Sequence, residues 1–390
     1  MNILEFPYKK INRKKVIIFS IIGLIILICV VLGFIYFLNP SARAFIDIHI
    51  FRKEINSNNL STIEINPDED YFYYAYDKYI ALLNKNILYT YNSFGQSTSQ
   101  NEVITSNPIF TSNNKFLAIA ENSGNNFYLF SGNNILFQKS LDGNISGISV
   151  NKNGYVSIII SGTSYKSIIV ALDSKGNEMF RTYLSNNTAI CTEISNDNKY
   201  LSIAEIDYSG SIIKSVVRNI SIETAKSDPT NSVISSFNLP ENILLTNIKY
   251  QDKNTIICMC SDGVYSFNVV DSVDNKIFNL ENSYEFIDIN LKNNLLYTFN
   301  TSKGFSNISV INILNINNSS LNTYEFTGSI KSIYCNNGKI AINTSSEIHF
   351  IGPNGWLIKK YESYSEISTI ILGDSIAGVV YRNRIEIIEI

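Results

Sequence analysis

The side chains that most often carry chemistry are scarce in this 390-residue chain: two histidines, five cysteines and one tryptophan. Catalysis by histidine needs an imidazole positioned against a second polar group. His49 lies near the N-terminus and His349 in the strand-like run EIHFI, so both read as structural residues, and two distant histidines assemble no metal cluster. Cys29 falls within a long apolar run, whereas Cys191, Cys258, Cys260 and Cys335 fall in strand-like segments. Cys258-Met259-Cys260 places both thiols on one face of a strand, poorly disposed to bond with each other. Buried roles as small apolar groups are therefore expected for the cysteines. The sequence carries no phosphate-binding glycine motif and no calcium-loop signature, so no cofactor or metal is expected.

Carboxylates offer a second route. Glycoside hydrolysis uses two of them about 5–10 Å apart. Glu121 and Glu205 end two closely matched segments, SNNKFLAIAE and SNDNKYLSIAE, with Asp207 just beyond the second. Matching positions in a repeating fold would bring them toward one rim, which keeps open a carboxylate-based hydrolase or lyase acting on envelope glycans. The plainer alternative is that repeated acidic residues solvate strand ends. Tyr165 and Lys166 in SGTSYKS, with Glu205, Asp207 and Tyr208 around IDYSGSIIK, form the candidate binding set. Connections on a rigid scaffold are where partner contacts concentrate.

What must position these groups is a series of strands. Beyond residue 59, short runs of Ile, Val, Tyr and Phe alternate with Asn, Gly, Asp and Ser, and no long 3.6-residue periodicity intervenes. Paired turn residues precede an apolar strand at Asp77-Lys78, Asn113-Asn114, Asn153-Gly154, Asp197-Asn198, Lys253-Asn254, Asn293-Asn294, Asn337-Gly338 and Gly373-Asp374. The intervals are 36, 40, 44, 56, 40, 44 and 36 residues. Their mean, about 42, is the length of a four-stranded propeller blade. The reading is all-β, an eight-bladed propeller over residues 59–390, with seven blades or two smaller β domains as alternatives. The last unit has only three strands, while STIEIN, residues 61–66, stands alone before the first. If that orphan pairs as the missing outer strand, the ring closes and removes two aggregation-prone edges. The 56-residue interval marks extra chain in residues 206–214 and 223–231.

Residues 16–38, VIIFSIIGLIILICVVLGFIYFL, contain no charge. As a helix they would span about 34 Å, enough to cross a hydrocarbon core of about 30 Å. A cleaved signal peptide is the competitor, since Ala42-Arg43-Ala44 resembles a cleavage site, but its apolar core would run about 7–15 residues. Lys9, Lys10, Arg13, Lys14 and Lys15 precede the run, against Glu5 alone. By the positive-inside rule residues 1–15 stay cytoplasmic, residues 39–58 form a stalk, and the propeller lies outside the cell membrane as the exterior part of a single-pass protein.

The 34 acidic and 31 basic residues leave no cationic excess of the kind a nucleic-acid binder uses. Setting aside the net +4 of residues 1–15, the whole-chain −3 becomes −7 for residues 16–390. An acidic exterior argues against anionic wall polymers or lipid headgroups as its main ligands. With 45% hydrophobic and 17% charged residues the chain is neither disordered nor a small disulfide scaffold.

The basic tail and apolar segment, together with VNKNGYVSIIISGTSYKSIIV (150–170), ISNDNKYLSIAEIDYSG (194–210) and IKYQDKNTIICM (248–259), resemble an uncharacterised family of membrane-anchored propeller-like proteins of anaerobic Gram-positive bacteria. That resemblance implies fold and anchoring but no activity. More distantly the repeats resemble WD40, YVTN and quinoprotein-type propellers, although the Gly-His and Trp-Asp signatures of WD40 are absent. One tryptophan cannot supply the repeated tryptophan docking of the quinoprotein class. The expectation is a non-catalytic platform that binds an envelope or membrane protein or another wall-associated ligand.

Overall fold

The computed structural model of the chain describes residues 13–38, 42–43, 46–47, 50–51, 53–55 and 60–390, save 163, 272–273, 281–283 and 304–305. Residues 1–12 and His49 lie outside the described residues. The chain divides into two compact units, Met1–Lys53 and Glu54–Ile390.

The first unit is built on helix α1, Arg13–Leu38. Its Ile21–Leu38 portion has a mean hydropathy of 3.1, and none of its residues is buried. A helix apolar all round has no aqueous face to present, so it needs an apolar surrounding. The last helical carbonyls, which lack intrahelical partners, are met by Arg43: Nε donates to the Tyr36 carbonyl at 3.0 Å and Nη2 to that of Phe37 at 2.8 Å.

The second unit contains eight sheets, each with at least four strands, arranged as successive blades. Blades 1–7 cover residues 72–102, 108–140, 144–184, 188–238, 245–279, 287–327 and 332–362. Blade 8 joins residues 369–389 to Ser61–Glu64. Within each blade we name the strands A to D from channel to periphery. Neighbouring A strands contact one another around the axis from blade 7 through blades 8 and 1 to blade 5.

Burial explains the sequence pattern. Strand B of blade 3, Val156–Ser161, is buried at every position but the last, because neighbouring blades cover both its faces. A strand covered on both sides reads as a continuous apolar run. Strand D of blade 2, Asn134–Ser140, instead alternates exposed and half-buried residues, because only one of its faces meets protein. The core consists of interblade layers. Ala118 and Ala120 of blade 2 share one with Ile158 and Ile160 of blade 3, so small side chains oppose large ones.

The recurring turns join strands A and B, and their residue types follow from backbone geometry. Asp77, Asn114, Asn198, Asn293 and Asn337 have φ between 48° and 63°, and Gly154 has φ 81°. These are left-handed conformations that Asn, Asp and Gly tolerate best. At Gly154 a Cβ would also stand 2.8 Å from the Phe116 ring, so the glycine serves both turn and packing.

Closure follows the expected pairing. Ser61, Thr62, Ile63 and Glu64 lie antiparallel to Ile387, Glu386, Ile385 and Arg384. Blade 8 is joined to blade 1 at the turns, where the N–H groups of Asp374 and Ser375 donate to the Asp77 carbonyl at 3.0 Å. The ring unit begins ahead of the expected residue 59: Glu54–Ile55 pairs parallel to Lys360 and Tyr361 as an added strand outside blade 7. This residue pair was expected in the stalk.

The extra chain of blade 4 splits between two faces. Residues 208–213 form the B–C hairpin tip. On the opposite face the C–D connection folds into a six-residue helix α2, Ile222–Ser227, with Ile222 and Ala225 buried. The Ser221 hydroxyl caps it, accepting from the Thr224 N–H at 3.3 Å.

Candidate functional site

Four of the five residues singled out in the sequence meet on the B–C rim of blades 3 and 4. The B–C connection of blade 3 is pinned by the Lys166 N–H, which donates to the Leu184 carbonyl at 2.9 Å. That places the Tyr165 ring 4.8 Å from the ring of Tyr183 on strand D. In blade 4, strands B and C remain paired out to Asp207 and Lys214, and the chain reverses over 208–213. Asp207 Oδ1 accepts from the Ser209 N–H at 3.0 Å and hydroxyl at 2.6 Å, which shapes this reversal. Those donors, with Lys166 and Lys214 adding positive charge, hold the Asp207 carboxyl below the ordinary carboxylate range. Lys166 Nζ sits 4.8 Å from the Tyr208 ring centre, a cation–π distance. The Thr188 hydroxyl donates to the Tyr208 hydroxyl at 3.2 Å.

The rim continues beyond the foreseen residues. The Asn242 N–H donates to the Ile213 carbonyl at 3.0 Å, laying the connection from blade 4 to blade 5 beside the hairpin tip. Tyr183, Ile212, Ile213 and Leu244 are therefore exposed along the same rim, where Tyr208 is 59% exposed. A hollow of about 500 Å³ lies beside Tyr165, with Asp142 and Ile168 in its wall. The isoleucine pair was legible in SGSIIK as two large apolar residues in a hairpin tip. Tyr183 and Leu244 carried no comparable signal.

Glu205 does not belong to this surface. Its side chain is fully buried, with Oε1 2.6 Å from Arg218 Nε. Oε2 accepts from Arg218 Nη2 at 3.0 Å and Asn187 Nδ2 at 2.9 Å. A carboxylate removed from water requires such partners. Glu121, its counterpart in blade 2, accepts from the Ser106 N–H at 3.3 Å and hydroxyl at 3.2 Å. Each carboxylate thus fixes the connection that enters its own blade. This shared structural task accounts for their matching positions, and the contacts are not those of a catalytic pair facing a substrate.

His349 and two of the four strand cysteines are also engaged structurally, whereas Cys191 and Cys335, expected to be buried, are half-buried in the walls of channel cavities. His349 is buried between the Tyr324 hydroxyl, 2.9 Å from Nδ1, and Glu347, 3.0 Å from Nε2. All five cysteines are free thiols, and Cys258 and Cys260 lie in the interblade core. Among the described residues no group of three His, Cys, Asp or Glu is placed to hold a metal ion.

The channel interior is polar. Adjoining cavities of about 520, 380 and 220 Å³ share Asn290. Lys249 of blade 5 reaches Glu193 of blade 4 at 3.2 Å across the wall. The glutamate's charge holds the Lys249 ammonium above its ordinary value. Burial raises the Asp288 carboxyl on the same wall.

Solved structures similar to this chain include BamB from Moraxella catarrhalis, 11% identical, covering 72% of this chain and 96% of that one with a TM-score of 0.40. The WD40 domain of SCAP from fission yeast is 9% identical, covering 85% and 98% with a TM-score of 0.48. The dihydro-heme d1 dehydrogenase NirN is 10% identical, covering 90% and 82% with a TM-score of 0.47. Likenesses of this size carry nothing about activity or ligand. No curated protein matches the chain. Residues 52–390 match a family of unknown function, DUF5711, and the chain belongs to that family.

Proposed function

We propose that this protein is a membrane-anchored, extracytoplasmic propeller that serves as a non-catalytic platform and holds a protein partner in the cell envelope. The observation that carries the reading is the exposed aromatic and aliphatic strip on the B–C rim, with Lys166 and Asp207 set among Tyr165, Tyr183, Tyr208, Ile212 and Ile213. Tyrosines supply large contact area at low entropy cost and are enriched where proteins meet. The strip rests on strands paired to their ends, so a partner would not have to order it. Helix α1 supplies the anchor, and the cluster from Lys9 to Lys15 keeps its N-terminal side in the cytoplasm.

The test is a photoreactive residue placed at Tyr208 or Ile212 in the full-length protein, illuminated in native membranes. Phe94, in the C–D turn of blade 1 on the other face, is the control. The expected result is one discrete adduct shared by both rim positions and absent from Phe94. No adduct from the rim, or the same adducts from all three positions, would remove the support for this surface. A membrane-impermeant amine reagent applied to intact cells should label the propeller lysines, and labelling only after lysis would exclude the exterior location.

A further inference from the structure

The opposite mouth of the channel, where the A–B turns lie, has a different chemistry. Some neighbouring turns are hydrogen-bonded to each other: Asn153 Nδ2 donates to the Asn196 carbonyl at 3.0 Å, and Asn337 Nδ2 to Asp374 Oδ1 at 2.8 Å. Blades 1–7 each place a lysine at or beside this turn, whereas blade 8 has Asp374-Ser375 there. Four of these lysines have evident engagements. Lys78 and Lys115 lie 5.7 and 5.4 Å from the ring centres of Tyr79 and Phe116. Lys199 pairs with Asp197 at 3.7 Å, and Lys339 Nζ donates to the carbonyls of Asp374 and Ile390.

The other three, Lys152, Lys253 and Lys292, have no carboxylate within ion-pair distance among the described residues. They are also the three that line the cavity of about 380 Å³ at this mouth, with Lys249. Asp252 is the single acidic residue in that wall, and its carboxylate already accepts from the Asn254 N–H and from the N–H and hydroxyl of Thr255. Gln251, also in the wall and buried, accepts from the Asn293 N–H through its oxygen, and its NH₂ is a donor for a ligand. Asparagine amides fill much of the remaining wall.

We propose that this mouth is a binding site for a small anionic polyol, a phosphorylated or carboxylated sugar-like compound. The volume lies within the range of about 300–1,000 Å³ common to small-molecule sites. Lys249 is already paired with Glu193, so the three ammonium groups of Lys152, Lys253 and Lys292 against the one carboxylate of Asp252 make a positive well in a chain segment of net charge −7. Low-dielectric walls focus such a field on the mouth. Ammonium groups attract an oxyanion as point charges without the bidentate fork of arginine. The amides match the hydroxyl groups of the rest of the ligand. The acidity of the whole exterior, which argued against anionic ligands, does not describe this mouth.

Equilibrium dialysis of the full-length protein in detergent, with radiolabelled glucose 6-phosphate, glucuronate and glucose, tests the assignment. Saturable binding is expected for one or both charged sugars and not for glucose, and the two charged probes separate phosphoryl from carboxylate recognition. Lys253→Ala with Lys292→Ala should weaken that binding by about tenfold or more. Lys152→Ala should weaken it independently, while Lys175→Ala, on an outer turn of blade 3, should leave it unchanged. Absence of saturable binding, equal binding by wild type and the double variant, or glucose bound as well as its charged analogues would overturn the proposal. Exposed lysines leave the fold intact when truncated, and an unchanged melt of each variant verifies this. The B–C rim lies on the other face, so failure here leaves the partner-docking reading standing, and failure there leaves this one.

Discussion

Replacing Ile63 by alanine tests whether the ring is held by the pairing of its distant ends. Ile63 is 4% exposed and packs with Ile65, Ile376, Ile385 and Ile387 in the layer between blades 8 and 1. Truncating a buried isoleucine to alanine costs about 2–5 kcal/mol, the spread reflecting how far the cavity collapses. At about 2.1 cal/mol/K per residue, a ring of roughly 330 residues unfolds with an entropy near 0.7 kcal/mol/K. The midpoint should therefore fall by about 3–7 °C. The assay is a thermal melt of the full-length protein in detergent, followed by the fluorescence of Trp356, the one tryptophan, which precedes the outer strand of blade 7. Because the probe lies in the blade next to the altered one, a shift reports on the ring and not on local fraying. Ile234→Ala, at a 44% exposed position on the outer strand of blade 4, is the control and should leave the midpoint unmoved. An unchanged midpoint for Ile63→Ala, or a separate early transition that leaves the Trp356 signal in place, would refute closure as the source of cooperativity.

Glu205→Gln strands the Arg218 guanidinium against a neutral amide. Arg218 keeps 32% of its side chain in water, so the destabilisation measured by urea titration should be about 3 kcal/mol, the lower end for a broken buried pair. Glu121→Gln, whose partners are a serine N–H and hydroxyl, should cost about 1 kcal/mol or less in the same titration. The hydrogen bond from His349, with help from Lys360, lowers the Glu347 carboxyl from its ordinary 4.5 to about 2. A depressed carboxyl stabilises the fold fully above its unfolded value and loses that contribution as pH falls through the folded one. The stability difference between wild type and Glu347→Gln should therefore be constant above pH 4.5 and shrink toward pH 2. Burial pushes the thiols of Cys191 and Cys260 up to about 12 and raises those of Cys258 and Cys335. A thiol reagent at about pH 8 should leave the buried Cys258 and Cys260 unlabelled in the native protein and react only slowly with Cys191 and Cys335, which are half-buried in the channel wall. All four should react after denaturation without reductant, and a missing thiol would reveal a disulfide.

Much of the architecture was legible because its causes are local. A left-handed turn demands Asn, Asp or Gly, and Asn114, Asn198 and Asn337 mark three of the eight A–B turns for that reason. A strand covered on both faces demands an unbroken apolar run, as in Val156–Ser161. Even the closing strand was visible, since STIEIN lacked a blade and the last blade lacked a strand. Residues 54–55 escaped notice because two residues carry no periodicity, and helix α2 because a single capped turn is too short to show one.

The candidate site was legible only in part, for a reason Glu205 makes plain. Sequence position located the end of strand B, but not whether the glutamate turns outward or inward. Asn187 and Arg218, at different distances along the chain, settle that it turns inward. Tyr183 and Leu244 join the rim through contacts between separate connections, a relation no spacing encodes. The lysines at the A–B turns were individually visible, yet only the ring shows which are engaged by neighbours and which face the cavity. Strand identity, turn chemistry and the apolar N-terminal helix are properties of short segments, and the sequence alone determined them, whereas its repeat spacing favoured eight blades and left seven open until the pairing of the two ends closed the ring. The B–C rim, the burial of Glu205 and the cationic mouth depend on which side chains converge from different blades, and only the closed tertiary structure decided them.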